Sequence, residues 1–176
     1  GALDKLTSFL AIPDQDDADC KLRAYALQTL AGLGDSRAAK SVIALLSHSD
    51  EFLRLNAAMT LQALPGEESV RALRGLLDDP SLELRGMAAI SLSHLGDGSG
   101  AQVLHTLIDL ATYAAGHAQD PKKWKSAELV QGTRVKAVQA LARLGRPEDR
   151  ELLERLTREE TDSTVREAAM RALAPR

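Results

Sequence analysis

The feature of this chain that most constrains its fold is a motif that returns at nearly constant spacing. Four of its five copies start with an apolar residue and an arginine, and the fourth starts with Thr133 and an arginine. The first four copies end about twelve residues later at a glycine or a short break, and the fifth runs to Leu173. The steps between consecutive copies are 31, 31, 49 and 32 residues, and the marker arginines are Arg23, Arg54, Arg85, Arg134 and Arg166. Self-similarity with a period near 30 residues indicates a protein built of stacked repeats.

The composition favours helices as the building blocks of these repeats. Hydrophobic residues make up 44% of the chain and aromatic residues only 3%. Much of the apolar material is alanine and leucine, which are strong helix formers. Leu3, Leu6 and Leu10 also recur at helical spacing, with polar residues between them. We therefore predict an all-α fold in which each repeat contributes two helices.

The chain is predicted to be one solenoid over residues 1–176 that begins and ends in half repeats. Gly34 and Gly96 follow the last periodic residue of a first helix, where glycine commonly ends helices. Helix starts are predicted at N-cap residue types four residues before a marker arginine, namely Asp19, Asp50, Ser81 and Asp162. The predicted units are a half repeat 1–13, repeats 17–48, 50–79, 81–119 and 121–160, and a half repeat 162–176. Half repeats at both ends favour a monomeric segment of a longer protein; a complete small protein with half-repeat caps is the alternative.

The copies share the pattern Asp-x-x-x-Val/Leu-Arg-x-x-Ala-Ala-x-x-Leu-x-x-Leu-Gly-Asp, with small pairs such as Ala88-Ala89 and breaks such as Gly96-Asp97. This pattern resembles the HEAT family, particularly its short bacterial form, the phycobiliprotein-lyase-like HEAT repeats. Two departures are Pro65-Gly66 in place of Gly-Asp and Arg146 in place of the aspartate. The resemblance implies a right-handed α-α superhelix of about four to five repeats of about 31 residues. First helices would lie on its convex side and second helices on its concave side.

The resemblance also implies a structural role for the marker arginines. In such repeats this arginine commonly reaches an acidic group of a neighbouring repeat, which produces a ladder of ion pairs. Asp35, Asp97 and the aspartates at the helix starts are the candidate partners in this chain. The arginines of this structural ladder are Arg23, Arg54, Arg85, Arg134 and Arg166.

The long step of 49 residues indicates an insertion in the third and fourth repeats, between Leu110 and Leu129. Asp120-Pro121 lies near its middle, and both residue types favour a helix start. We predict that the two flanking helices are extended and form a helical hairpin over residues 111–128. The candidate partner-binding residues of this hairpin are Tyr113, His117, Lys122, Lys123, Trp124 and Lys125. The alternative is that Trp124 packs across the hairpin on Tyr113 and Ala114, while the lysines only solvate the tip.

Aligning the second helices predicts the side chains that face the concave groove. They are Lys40, Ile43, Ala44, Arg71, Arg74, Gly75, Gln102, His105, Thr106, Asp109, Glu151, Glu154 and Arg155. The charge changes from basic in the first two repeats to acidic in the fourth, which suits a charged peptide or a partner helix because complementary charge fixes its orientation. A solvated charged face without a partner is the alternative.

Metal binding and catalysis have little support in the sequence. His105, Asp109, Tyr113 and His117 recur every four residues, but such a line drifts around a helix by about 40° per step, so the four side chains cannot meet one ion. We find no nucleophile elbow, no phosphate-binding glycine loop and no metalloprotease signature. A single cysteine, Cys20, excludes an intrachain disulfide. We therefore expect neither an enzyme nor a bound cofactor or metal.

The charge and hydropathy of the chain restrict its partners. A net charge of −3 argues against nucleic acid, and no apolar run approaches the length of a membrane span. The sequence predicts a cytoplasmic, non-catalytic module that binds a protein or peptide through the concave second helices and the hairpin. Two alternatives follow from the resemblance: a chromophore lyase or chaperone like the phycobilin lyases, and a DNA-binding module like the HEAT-like glycosylases, which the acidic fourth repeat disfavours.

Overall fold

A computed structural model describes residues 1–12, 17–109, 111, 113 and 127–174. Within these ranges all regular secondary structure is helical and no strand is present, which confirms the all-α prediction. The α-helices are α1 (Ala2–Leu10), α2 (Asp17–Leu33), α3 (Ala39–Ala44), α4 (Glu51–Leu61), α5 (Glu67–Gly75), α6 (Leu82–His94), α7 (Ala101–Ile108), α8 (Ala127–Leu144), α9 (Arg150–Glu159) and α10 (Ser163–Leu173). Short 3-10 turns precede α3 and α9 and follow α3.

The helices stack in the order that the repeats predict. The first helices α2, α4, α6, α8 and α10 carry the marker arginines, and each packs against the next first helix. The second helices α3, α5, α7 and α9 each pack against the first helix of the following repeat. Helix α1 is a second helix that packs on α2 and α3. The architecture is therefore a solenoid in which neighbouring repeats share their contacts.

Three of the four predicted helix starts are confirmed by their hydrogen bonds. The Asp50 carboxylate accepts a hydrogen bond from the Leu53 N–H at 2.9 Å. The Ser81 hydroxyl caps α6 and the Asp162 carboxylate caps α10 in the same way. The prediction is wrong at Asp19, because α2 already begins at Asp17. Asp19 lies inside the first turn, where the positive end of the helix dipole still favours an acidic residue.

Left-handed glycines separate the two helices of a repeat, as predicted. Gly34 and Gly96 have φ angles of +63° and +75°. Residues with a Cβ rarely adopt this conformation, so glycine ends the first helix without strain. The chain then turns back into the second helix at the same place in each of these repeats.

The hydrophobic core is divided into two clusters that meet at α6. The first cluster runs from Leu10 to Leu92 and the second from Leu82 to Ala169. Helix α6 contributes Ala88 and Leu92 to the first and Leu82 and Ala89 to the second, because these residues lie on different sides of one helix. It is therefore the element that both halves of the core share.

The insertion differs from the prediction on its first side. Helix α7 ends at Ile108, since Asp109 has an extended backbone with φ −70° and ψ 105°. The Asp109 carboxylate accepts a hydrogen bond from the Ala111 N–H at 3.0 Å. This local bond competes with helical hydrogen bonding, as aspartate commonly does. The expected uninterrupted helix through Asp109 is therefore wrong.

On the second side the first helix is longer at its start than in three of the other repeats. Helix α8 begins seven residues before Arg134 and α2 six residues before Arg23, whereas α4, α6 and α10 each begin three residues before their marker arginine. The tip of the predicted hairpin, including Asp120-Pro121, lies outside the described residues.

Gly100 lies at a close approach between α6 and the start of α7. A Cβ atom placed on Gly100 would lie 2.7 Å from the Cα and Cβ of Ala89, which is a backbone contact that no rotamer change relieves. We expect Gly100→Ala to lower the free energy of unfolding by roughly 1–3 kcal/mol, the usual cost of overpacking. Gly132→Ala in α8 is the matched control: its Cβ would meet nothing within 4 Å, and alanine should stabilise the helix by about 1 kcal/mol. Urea denaturation measures both, and equal effects of the two variants would contradict the close approach.

Candidate functional site

The marker arginines bind backbone carbonyls at the end of the preceding repeat. Arg54 donates to the carbonyl oxygens of His48 and Ser49 at 2.7 and 2.8 Å. Arg85 and Arg166 make the same contacts, to the residues six and five positions before them, at 2.6–3.1 Å and 2.6–3.5 Å. Carbonyls at a helix C-terminus have no partner within the helix, so the arginine satisfies them and ties two repeats together.

The proposed acidic partners of this ladder are therefore wrong for two residues. Asp35 binds Arg37, two residues along the chain, with an Oδ2–guanidinium distance of 2.5 Å. Asp97 forms an ion pair with Arg74 of the preceding second helix. Neither aspartate thus pairs with a marker arginine in these ion pairs. The marker arginine of the first repeat, the buried Arg23, donates to a backbone carbonyl, that of Ile12, as Arg54 does in the second repeat.

Arg134 differs from Arg54, Arg85 and Arg166 because it also binds a carboxylate. Its Nε donates to the carbonyl of Ile108 at 2.8 Å, and its two terminal nitrogens donate to Glu160 at 3.3 and 2.5 Å. The side chains of Arg134 and Glu160 are 5% and 9% exposed. This buried, two-pronged ion pair joins α8 to the loop between α9 and α10, and it secures the end of α7 as well.

A cleft of about 590 Å³ lies between α7, α8 and α9, beside this ion pair. Its walls are partly apolar and partly charged. The residues that line it are His105, Ile108, Asp109, Arg134, Leu152, Arg155, Leu156, Glu159, Glu160 and Thr161. Three residues predicted for the groove thus line this one cleft: His105, Asp109 and Arg155.

A buried carboxylate that the sequence analysis missed orients His105. The Nε2 atom of His105 is 2.7 Å from Oδ1 of Asp149, which is 1% exposed. The second oxygen, Oδ2, accepts no hydrogen bond from the described residues and lies 3.4 Å from Nε of Arg146. The sequence did hold a signal: fifteen residues after the marker arginine, the other three repeats have Ala38, Ser69 and Gly100. A charged residue at a position otherwise held by small residues marks the site.

The other charged residues predicted for the groove are accessible and do not line this cleft. Lys40, Arg71, Arg74 and Glu151 are exposed, and Glu154 is half-buried. Arg74 is ion-paired with Asp97, and Glu154 accepts a hydrogen bond from Arg150 at 2.8 Å. Part of the predicted charge gradient is therefore neutralised within the chain itself.

Tyr113 is a core residue and offers no surface to a partner. It is 2% exposed and belongs to the second core cluster. Burial raises the pKa of Tyr113, although a hydrogen bond with Thr133 lowers it in part. Its predicted role in partner binding is therefore wrong, because the ring packs inward after the chain turns at Asp109. The other hairpin residues, His117, Lys122, Lys123, Trp124 and Lys125, lie outside the described residues.

The Arg134–Glu160 pair makes the stability of the fold depend on pH in the acidic range. Burial alone would raise the pKa of Glu160, but hydrogen bonds from Arg134 and from the Asp162 N–H outweigh it and hold that pKa below its ordinary value of 4.5. A carboxyl with a lower pKa in the folded state contributes stability above its unfolded pKa, and this contribution disappears as the pH falls through the folded pKa.

We therefore expect the free energy of unfolding to decrease as the pH is lowered from 5 towards 3. Urea denaturation at each pH measures the slope. Glu160→Gln should be less stable than the parent chain at pH 7 and should show a shallower decrease, since it lacks the titrating group. A variant with an unchanged slope would show that other carboxyls dominate the acid response.

Comparison with known proteins identifies the family of this chain. A family model for HEAT repeats matches residues 3–93, slightly more than half of the chain. The chain belongs to the HEAT-repeat family. The matched part of the HEAT solenoid contains the first core cluster and ends in α6. No curated protein matches the sequence significantly.

A solved structure extends the HEAT likeness to almost the whole chain. One chain of the complex of CpcE and CpcF of phycocyanin lyase from Nostoc sp. PCC7120 superposes with a TM-score of 0.68 and is 27% identical. The match covers 97% of this chain but 63% of the other, so this HEAT solenoid spans less than two thirds of the length of its neighbour. Within the described ranges, no helix is long and apolar enough to span a bilayer.

Proposed function

We propose that this HEAT solenoid is a non-catalytic module that binds a protein partner across its second helices. The observation that carries the proposal is a row of exposed side chains in one register. Each of the second helices α3, α5, α7 and α9 contributes one exposed residue at an equivalent position. These residues are Lys40, Arg71, Gln102 and Glu151. The same helices bury leucine, valine or alanine on their other side, so this row is the polar face that the stack leaves accessible.

The order of charges along this row gives the partner an orientation. The first two repeats present cations that form no ion pair in the described structure, Lys40 and Arg71, and the fourth presents the carboxylate of Glu151. A partner with an acidic segment at one end and a basic segment at the other would dock in one direction, because the reverse orientation places like charges together. The similarity to a chain solved in a two-protein complex supports a protein as the partner.

Charge reversal in this row tests the proposal. The protein partner is first captured from source-cell lysate, identified and produced, and its affinity is then measured by titration. We expect a Lys40→Glu, Arg71→Glu variant to weaken binding by at least about tenfold, and the effect to shrink with added salt. Lys136→Glu is the control, because Lys136 is also an exposed cation but lies on α8, which is a first helix and carries no member of the row.

The outcomes separate the candidate surfaces. Equal binding by the charge-reversal variant and the parent chain would overturn the groove as the docking surface. A loss with Trp124→Ala, Lys123→Glu alone would move the site to the predicted hairpin. An equal loss with Lys136→Glu would show that net charge, and not the row, controls the interaction.

A second candidate is a chromophore lyase or chaperone, which the likeness over 97% of this chain to a phycocyanin lyase structure favours. This activity predicts binding of a linear tetrapyrrole, since a lyase must hold its chromophore. Mixing the protein with such a pigment should then produce a shifted absorbance band that saturates at a fixed ratio. An unchanged spectrum would remove this candidate and leave the protein-binding module.

A further inference from the structure

The hydrogen bond between His105 and the Asp149 carboxylate determines what the imidazole can offer to a ligand. A carboxylate without a proton can only accept hydrogen bonds, so whenever the imidazole of His105 carries a single proton, that proton is on Nε2 and is donated to Oδ1 of Asp149. Nδ1 then retains its lone pair and acts as an acceptor. The side chain of His105 is 34% exposed and lines the cleft between α7, α8 and α9. In that state the acceptor Nδ1 belongs to a side chain that lines the cleft.

The charged residues around the cleft also favour a ligand that donates hydrogen bonds. Arg134 is fully engaged, because Glu160 takes both of its terminal nitrogens. Glu159 is exposed and has no ion pair among the described residues. Arg155 lies one helical turn from Glu151 and one turn from Glu159, so two carboxylates flank its single charge.

The apolar part of the cleft suits an aliphatic stem. Ile108 and Leu156 are 2% and 8% exposed and line the cleft together with Leu152. Lysine and arginine side chains bury their methylene groups against such surface while the charged end remains hydrogen-bonded or hydrated. A cleft of about 590 Å³ is large enough for one such side chain with its flanking backbone.

We infer that this cleft receives a lysine or arginine side chain of the protein partner, with Nδ1 of His105 and the carboxylate of Glu159 as acceptors. The inference rests on the proposed protein-binding function and adds a specific anchoring pocket to it. Asp149 is a positioning residue here, since it acts through the imidazole. Its burial at a position where other repeats have alanine, serine or glycine is the sequence mark of that pocket.

Capped tripeptides test the pocket without the whole partner. The probes are acetyl-Leu-X-Leu-amide with X as Arg, Lys, Glu or Leu, added to the ¹⁵N-labelled protein while amide chemical shifts are recorded. We expect the Arg and Lys peptides to shift the amides of α7 and α9 that surround the cleft, with affinities at least about fivefold above those of the Leu and Glu peptides.

Two variants and one control complete the experiment. Glu159→Gln removes the negative charge of the carboxylate, and His105→Phe keeps a ring but removes the acceptor. Each change should lower the affinity for the Arg peptide by roughly fivefold. Glu67→Gln is the control, because Glu67 is an exposed carboxylate on α5, away from the cleft. Amide spectra of the free variants show whether each has kept its fold.

Three results would overturn the inference. Preferential binding of the Glu peptide would make Arg155 the binding group. Equal shifts with all four peptides would show that the cleft does not recognise a cation, and no shifts would show that it does not hold a side chain. If the peptides fail while Lys40→Glu, Arg71→Glu still weakens the identified partner, the proposed function stands and the pocket alone is rejected.

Discussion

Replacing Arg134 with alanine is expected to lower the free energy of unfolding by roughly 3–5 kcal/mol, because it breaks a buried ion pair by removing one partner. Glu160, whose side chain is 9% exposed in the intact pair, would lose the guanidinium that neutralises it, and the carbonyl of Ile108 would lose its donor. Urea or guanidinium denaturation, followed by circular dichroism at 222 nm, measures the change.

The repeat itself supplies the control for this variant. Arg166 occupies the same position in the motif but donates to backbone carbonyls and binds no carboxylate in the described structure. Arg166→Ala should therefore cost less, roughly 1.5 kcal/mol. Adding Glu160→Gln to Arg134→Ala should recover part of the stability, since the uncompensated charge is removed. Equal costs for Arg134→Ala and Arg166→Ala would contradict a special role for the pair.

Replacing Leu53 with alanine is the second change with a large expected effect. Leu53 is 0% exposed in the first core cluster, and a Leu→Ala change in a closed core costs roughly 2.7–5 kcal/mol because it leaves a cavity. Leu22 occupies the same motif position, directly before the marker arginine, but is 53% exposed. Leu22→Ala should change stability by about 0.5 kcal/mol or less.

The pair Leu53 and Leu22 separates burial from motif position. Both residues are leucines one position before an arginine, so a pattern-based argument alone gives them the same weight. Denaturation midpoints of the two alanine variants decide between the explanations. If Leu22→Ala costs as much as Leu53→Ala, the position matters through helix formation and not through the core.

The sequence predicted the fold well because the fold depends on periodicity. Recurring apolar positions specify which side of each helix is buried, and residues such as Asp50 and Gly96 specify where helices start and stop. These signals are local, so one sequence contains them. The prediction that a helix starts at Asp19 is wrong because several acidic residues lie close together before Cys20, and each of them is of a type that suits a helix start.

The partners of the charged residues were harder to predict, because the contacts are made by groups that have no sequence signature. Arg54 binds backbone carbonyls, which every residue possesses. The pairing of Arg134 with Glu160 joins positions 26 residues apart, and no repeat rule selects that glutamate. The sequence makes Tyr113 a candidate binding residue of the hairpin, or a residue packed within it, whereas in the structure the helix ends before Asp109 and the Tyr113 ring is buried in the core.

The division of the core at α6 means that the solenoid holds two coupled units and not one. Each half buries its own apolar cluster, and α6 is the wall between them. In repeat arrays the stability is approximately a sum over units and their joints, and native-state amide exchange resolves such units. Leu53→Ala should then accelerate exchange mainly in α2 to α5, and Arg134→Ala mainly in α7 to α10. Exchange in α6 should be accelerated by both changes, because a loss of stability in either half is transmitted to the other half through this shared helix.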